Sequence, residues 1–158
     1  MGFKKITIFG STGLIGSLLL KKLVIDKDFD SINVISRKKI NLNSKKINQI
    51  INKNLNKKNI DKIINGSDIV FSTIGTTQSR VNFDKAEYRK VDHDITLNIA
   101  KSCKKYNVKK FIYVSTAGAY KGSKNFYTDL KGEIDESVKK LNLFSTIIYR
   151  PSLLLGKR

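Results

Sequence analysis

Cysteine occurs once in the chain, at Cys103, which excludes a disulfide framework and a zinc cluster. Cys103 falls within an expected helix and reads as a structural thiol. Histidine also occurs once, and His93 reads as a packed or solvated helix position, not as a catalytic group. No metal site is expected from such a set. No apolar run approaches the roughly 20 residues that cross a bilayer, so no membrane span is expected. The first strand begins almost at Met1, which leaves no room for a secretory signal. Ile6 stands where a myristoylation motif opening at Gly2 requires Ser or Thr. Together these absences suggest a reducing, cytoplasmic setting. Acidic residues are scarce as well: 13 Asp and Glu stand against 31 Lys and Arg, a formal charge of +18. Such a balance suits a nucleic-acid or anionic-membrane partner. However, the charge is nearly all Lys, spread along the chain, with abundant Asn and Ile that share AT-rich codons. Coding drift is the preferred account, and no specific nucleic-acid partner is expected.

What is present points to one α/β domain over residues 1–158. Ile6, Ile8 and Phe9 form a short apolar run that stops at Gly10. Leu14 to Ile25 reads as a helix, with Leu14, Leu18, Leu19 and Val24 near helical spacing. Strands are expected at Ile32–Ile35, more weakly at Ile47–Ile51, and at Ile69–Ile74, the last continuously apolar as in a sheet covered on both faces. Short helical spacing at Ile60–Ile64 stops at Asn65-Gly66. A long helix from Asp84 to Tyr106 leads to a strand at Phe111–Val114. A helix over Phe126–Leu141 leads to a sixth strand at Phe144–Tyr149. The only proline, Pro151, closes that strand because it cannot donate to a ladder. Strands alternating with helices predict a Rossmann-type doubly wound parallel sheet in the order 3-2-1-4-5-6.

The turn after the first strand reads Gly10-Ser11-Thr12-Gly13-Leu14-Ile15-Gly16. Glycine at the first position allows a tight turn, at the second a close approach of pyrophosphate, and at the third close packing of helix on strand. The N–H groups and positive dipole end of the following helix then face the phosphates. After the second strand stand Arg37 and Lys38, where an NAD-binding protein usually carries an acid for the ribose hydroxyl. A guanidinium fork with a lysine beside it suits a 2′-phosphate, so NADP(H) is the expected cofactor.

Tyr127 and Lys131 lie one turn apart on one face of a predicted helix. A phenol has a pKa near ~10, and a neighbouring ammonium favours its ionised form, fitting the pair to exchange a proton with a carbonyl or alcohol. The preceding strand ends Val114-Ser115-Thr116, and its hydroxyls are expected in the same crevice at the carboxyl edge of the sheet.

These residues resemble the atypical short-chain dehydrogenase/reductases, in the branch of the HIV Tat-interacting oxidoreductase. The likeness extends over nearly the whole chain. It runs through the phosphate loop, Ser36-Arg37-Lys38, Ile74-Gly75-Thr76-Thr77, Phe83 and Val91-Asp92. It continues through Val114 to Ala119, Phe126-Tyr127, Lys131-Gly132-Glu133 and Arg150-Pro151. The resemblance implies NADP(H) contacts from Ser11 to Ile15, from Arg37 and Lys38, and from Ile74 and Gly75. It makes Tyr127 the proton donor or acceptor, places Lys131 on the nicotinamide ribose, and makes Thr116 the substrate-orienting hydroxyl with Ser115 as second choice. Asn52-Lys53 replaces the acid that often faces the adenine in such proteins. Relatives continue for several more elements past the sixth strand, so the chain is expected to be truncated there. An uncovered edge would favour a homodimer. The expected function is an NADP-dependent oxidoreductase acting on a small carbonyl or alcohol. The alternatives are a non-catalytic, NADP(H)-sensing regulatory or assembly protein and a nucleic-acid-associated basic protein.

Overall fold

The computed structural model describes residues 4–152 and 154–156. Six parallel strands form one sheet: β1 (Lys5–Phe9), β2 (Ser31–Ser36), β3 (Ile47–Ile51), β4 (Ile69–Ser72), β5 (Lys110–Val114) and β6 (Thr146–Tyr149). Their order is β3-β2-β1-β4-β5-β6, the doubly wound arrangement expected from the sequence. β1 sits at the centre, with Ile6 beside Ile32 of β2 on one flank and Ile69 of β4 on the other. The helices are α1 (Leu14–Ile25), α2 (Lys57–Ile64), α3 (Lys85–Arg89), α4 (Ile95–Lys105) and α5 (Phe126–Lys140).

Side chains alternate across the sheet and divide the core. Ile6, Ile8, Ile32 and Val34 meet Leu20 and Leu23 of α1 on one face. Phe9, Val70, Phe111 and Tyr113 meet Ile60, Ile99, Ile134 and Val138 from α2, α4 and α5 on the other. On the α1 face, a cleft of about 490 Å³ lies over Phe71, Ile112, Val114 and Tyr149, bounded by Ile15 and Leu19. Among the described residues no helix is long and apolar enough to cross a membrane.

Several expected details shift. The buried stripe of α1 runs through Gly16, Leu20 and Leu23, and Leu18 is 56% exposed. Close contact at Gly16 sets the rotation of the helix about its axis and turns Leu18 outward. β4 stops at Ser72; the Thr73 N–H still donates to Phe9 O at 2.9 Å, and its hydroxyl reaches Phe9 O and Gly10 O, each at 3.0 Å. β6 starts only at Thr146, and Phe144 is exposed. α2 starts a turn earlier than its apolar spacing, at Lys57, because the Asn56 side chain caps it by accepting from Asn59 N–H. The long helix expected from Asp84 to Tyr106 is interrupted by one π-helical turn over Lys90–Asp94 between α3 and α4.

Candidate active site

The carboxyl ends of the parallel strands all open on one edge of the sheet. Gly10 follows β1, Arg37 and Lys38 follow β2, Ile74 and Gly75 follow β4, and Ser115 and Thr116 follow β5. Gly10 has φ +83°, a left-handed conformation that favours glycine. A Cβ there would stand 2.7 Å from Thr73 C, and one on Gly16 would stand 2.1 Å from Gly10 O. The loop therefore packs its backbone directly on β1 and β4. Gly13, by contrast, is exposed and meets only Gly10 O, at 3.4 Å.

The start of α1 differs from that of its neighbours. Side chains of Asn56, Asp84 and Asn125 accept from the first-turn N–H groups of α2, α3 and α5. Gly13 at the head of α1 supplies no such side chain, and the first turn carries no acid. The turn thus keeps donors and positive dipole for an anion from outside. Ser11 is buried and donates to Ile35 O at 3.3 Å, which ties the loop to the end of β2; Thr12 is exposed. Beyond β2, Ser36 Oγ donates to Lys38 O at 2.6 Å, curling the turn that carries the exposed Arg37 and Lys38. These residues fit a dinucleotide with pyrophosphate on the loop and adenosine end toward β2.

At the other end of the edge, Tyr127 and Lys131 do share one face of α5. Lys131 Nζ lies 5.8 Å from the centre of the Tyr127 ring. Its closer partner is a carboxylate: Nζ is 2.8 Å from Asp92 Oδ1, with side chains 5% and 2% exposed. The other oxygen of Asp92 accepts from Thr76 N–H at 2.8 Å, and a Cβ on Gly75 would lie 3.6 Å from Oδ1. Asp92 thus joins Lys131 to the loop after β4, which carries the expected cofactor contacts Ile74 and Gly75. The lysine charge expected to act on the phenol and the ribose is already matched by a buried acid.

Asp92 had no assigned role in the sequence reading. The signal was there: Tyr88, Asp92, Thr96, Ile99 and Cys103 recur at helical spacing and all are buried. An acid on a buried stripe needs a partner. It falls within the π-helical turn, a feature frequent at functional sites. Tyr88 had no assigned role either. Its hydroxyl donates to Thr76 O at 3.2 Å, and its ring meets Tyr127 edge-on at 6.1 Å.

Thr116 and Ser115 are both buried at the end of β5. Among the described residues, the hydroxyls of Ser72 and Ser115 are the buried side-chain oxygens without a hydrogen-bond partner. Behind this edge, Asp135 accepts from Tyr113 Oη at 2.7 Å and from Arg150 Nε at 2.9 Å, linking β5, α5 and the end of β6. Burial and the Asp135 carboxylate hold the Tyr113 phenol well above its ordinary range, so it acts as a hydrogen-bond donor, not an acid. His93 is packed, with Nδ1 2.8 Å from Asp94. Cys103 is buried, and burial pushes its thiol pKa upward. The exposed Lys105 and Lys109 pair with Asp61 and Asp68, each at 2.8 Å.

A doubly wound sheet with a glycine loop at the first crossover and Tyr and Lys on the helix before the last strand defines an NAD(P)-binding protein of the short-chain dehydrogenase/reductase type. Residues 10–155 match the NAD(P)H-binding family. Protein FMP52, mitochondrial, of Meyerozyma guilliermondii is 35% identical over 154 residues, covering 96% of this chain and 65% of its own length. Protein FMP52-1, mitochondrial, of Scheffersomyces stipitis is 35% identical, covering 96% and 67%. The chain belongs to this NAD(P)H-binding family and has the FMP52 proteins as relatives. It spans about two thirds of the length of those relatives.

In fold it is similar to the Bordetella bronchiseptica enzyme WbmH in complex with NAD+. That match has TM-score 0.81 and 18% identity, covering 99% of this chain and 58% of the other. A UDP-N-acetylglucosamine 4-epimerase from Methanobrevibacter ruminantium matches with TM-score 0.76 and 20% identity, covering 95% and 55%. The relatives' names correct one expectation. They are mitochondrial, against the cytoplasmic setting inferred from missing cysteines and apolar spans. Scarce cysteine and the lack of a long apolar run do not specify a compartment.

Proposed function

We propose that the chain is the cofactor-binding portion of an NADP(H)-dependent oxidoreductase that interconverts a small carbonyl and its alcohol. The observation that carries this reading is the Lys131–Asp92–Thr76 connection, at 2.8 Å for each link, which seats the Tyr127 helix on the loop after β4. When bound, the nicotinamide supplies or takes a hydride. The protein's part is to position and to move a proton. Tyr127 gives a proton to the carbonyl oxygen, or takes one from the alcohol. Lys131, its ammonium seated on Asp92 and 5.8 Å from the Tyr127 ring, holds the ribose. Thr116, with Ser115 next to it, holds the substrate oxygen. Arg37 and Lys38 select the 2′-phosphate.

Titration of cofactor fluorescence tests the first half: NADPH should bind well ahead of NADH, and Arg37→Asp should remove the preference. Turnover of a panel of aldehydes, ketones and quinones tests the second. Tyr127→Phe should abolish it, a loss of at least about 10²-fold, while leaving NADPH binding nearly intact. Equal affinity for both cofactors, or unchanged turnover in Tyr127→Phe, would refute the corresponding half.

A second reading is a non-catalytic NADP(H) sensor. It is favoured by the same ion pair, since Asp92 already balances the charge that would otherwise act on the phenol. Tight NADPH binding with no turnover on any carbonyl, in a protein carrying the full length of its relatives, would select it.

A further inference from the structure

At the start of α5 the chain builds a small recess that the cofactor reading does not use; Tyr127 does not line it but touches one of its walls, Tyr88. Two separate segments wall it: Phe83, Asp84, Lys85 and Tyr88 around the start of α3, and Phe126 at the start of α5. Tyr88 stands between the two aromatic residues of α5. Its ring is 5.8 Å from Phe126 and 6.1 Å from Tyr127, edge-on to both. Lys85 Nζ caps the Phe126 ring at 5.4 Å, and the Asp84 carboxylate is spent on the N–H groups of Ala86 and Glu87. The Tyr88 hydroxyl is held on Thr76 O, so the wall is fixed to the loop after β4.

The backbone is strained to make this wall. Asn82 and Phe83 both have positive φ, 49° and 60°, in succession. A bulky residue in that region is an outlier and tends to persist where function requires it. The result is a phenyl ring 72% exposed at the mouth of the recess, outside the hydrophobic core. The volume is about 200 Å³. An enclosed apolar cavity of roughly 150 Å³ accommodates benzene; this recess is open and carries Asp84 and Lys85 at its wall, and its volume is on the scale of one ring.

We propose that this recess is the substrate-recognition site and takes a single-ring aromatic aldehyde, ketone or quinone, with the ring against Phe83, Tyr88 and Phe126 and the carbonyl toward Tyr127. The proposal rests on the oxidoreductase reading for its chemistry but not for its binding. Aromatic pairs contribute about 0.5–1.5 kcal/mol beyond the area they bury, a preference of roughly two- to twelvefold over a saturated ring of the same size.

Benzaldehyde, cyclohexanecarbaldehyde and butanal separate aromaticity from bulk. With NADPH, kcat/KM for benzaldehyde should exceed that for cyclohexanecarbaldehyde by about that factor. Phe83→Leu and Phe126→Leu, which keep apolar bulk, should bring the ratio toward one, mainly through KM. Phe83 is exposed, so its variant tests the site without burdening the fold. Ligand-observed saturation-transfer NMR with benzaldehyde, with no cofactor added, gives a readout independent of turnover. Turnover of all three aldehydes with no aromatic preference, and no transfer to benzaldehyde, would overturn the recess and leave the oxidoreductase reading standing. Transfer that is lost in Phe83→Leu, with no turnover of any aldehyde, would keep the recess and remove the reaction. Loss of both signals would remove both.

Discussion

The Asp92–Lys131 pair can be tested by taking it apart. Both side chains are almost fully removed from water, and they face each other at 2.8 Å. Removing one partner of such a pair leaves an uncompensated buried charge and typically costs about 3–5 kcal/mol. That is a large part of the ~5–15 kcal/mol by which domains are stable. Asp92→Asn keeps an oxygen for Thr76 N–H but leaves the ammonium unmatched. Lys131→Met keeps the stem but leaves the carboxylate unmatched. Each single change should therefore lower the urea midpoint by about 1.5–2.5 M, for a urea slope near ~2 kcal/mol per M. The double variant leaves neither charge, so its cost should fall well short of the sum, and replacing such pairs by apolar groups is often neutral. Urea unfolding followed by circular dichroism on all four proteins provides the cycle. Additive losses, or singles that cost less than about 1 kcal/mol, would show that the pair is solvated and that Asp92 does not hold Lys131.

Three further outcomes follow from the same structure. Gly16→Ala would drive a Cβ to 2.1 Å from Gly10 O and 2.5 Å from Thr73 Oγ1. It should cost about 1–3 kcal/mol and abolish NADPH binding, and an unchanged cofactor titration would count against the loop as phosphate site. Hydrogen bonds from Lys105, Lys57 and Ser102 hold the Asp61 carboxyl well below the usual carboxylate range. A depressed folded value stabilises above the unfolded value of about 4 and is lost as pH falls through the folded one. The wild type should therefore exceed Asp61→Asn in urea midpoint at neutral pH, with the gap closing in acid; a gap that widens in acid would reverse the sign. Finally, the buried Cys103, its thiol pKa raised by burial, should resist a thiol reagent in the native protein and react on unfolding. Rapid native labelling would show that α4 opens locally.

Local signals carried the sheet and failed where partners come from far along the chain. Gly10 to Gly16 marks a strand end and a helix start, and the helix bounds Leu14–Ile25 and the strand bounds Ile47–Ile51 agree with the periodicity. Leu18 was misplaced because α1 is rotated by a contact between Gly16 and the backbone at Gly10, which composition does not record. The π-helical turn was hidden for a related reason. One extra residue in a turn changes which later positions are buried without placing any distinctive residue type. Tyr127 and Lys131 were legible because four-residue spacing on a helix is local. Their partners were not, because Asp92 and Tyr88 reach them only after α3 and α4 have packed against α5.

The same distinction explains why the candidate reaction and the candidate ligand differ in legibility. Proton transfer needs a tyrosine and a lysine one turn apart, and one helix supplies both. Recognition of a ring needs walls on two sides, and here they come from a strained loop at Asn82-Phe83 and from the first residues of α5. Read separately, Phe83 is an exposed aromatic in a polar turn, and Phe126 is a helix start. Only the fold brings both against Tyr88, and Tyr88 in turn against Tyr127 and Thr76. A substitution at Tyr88 should therefore disturb ring recognition and the seating of the loop after β4 together, whereas Phe83 should affect recognition alone. Separate responses of substrate KM and NADPH affinity in Phe83→Leu, and coupled ones in Tyr88→Leu, are what this geometry requires.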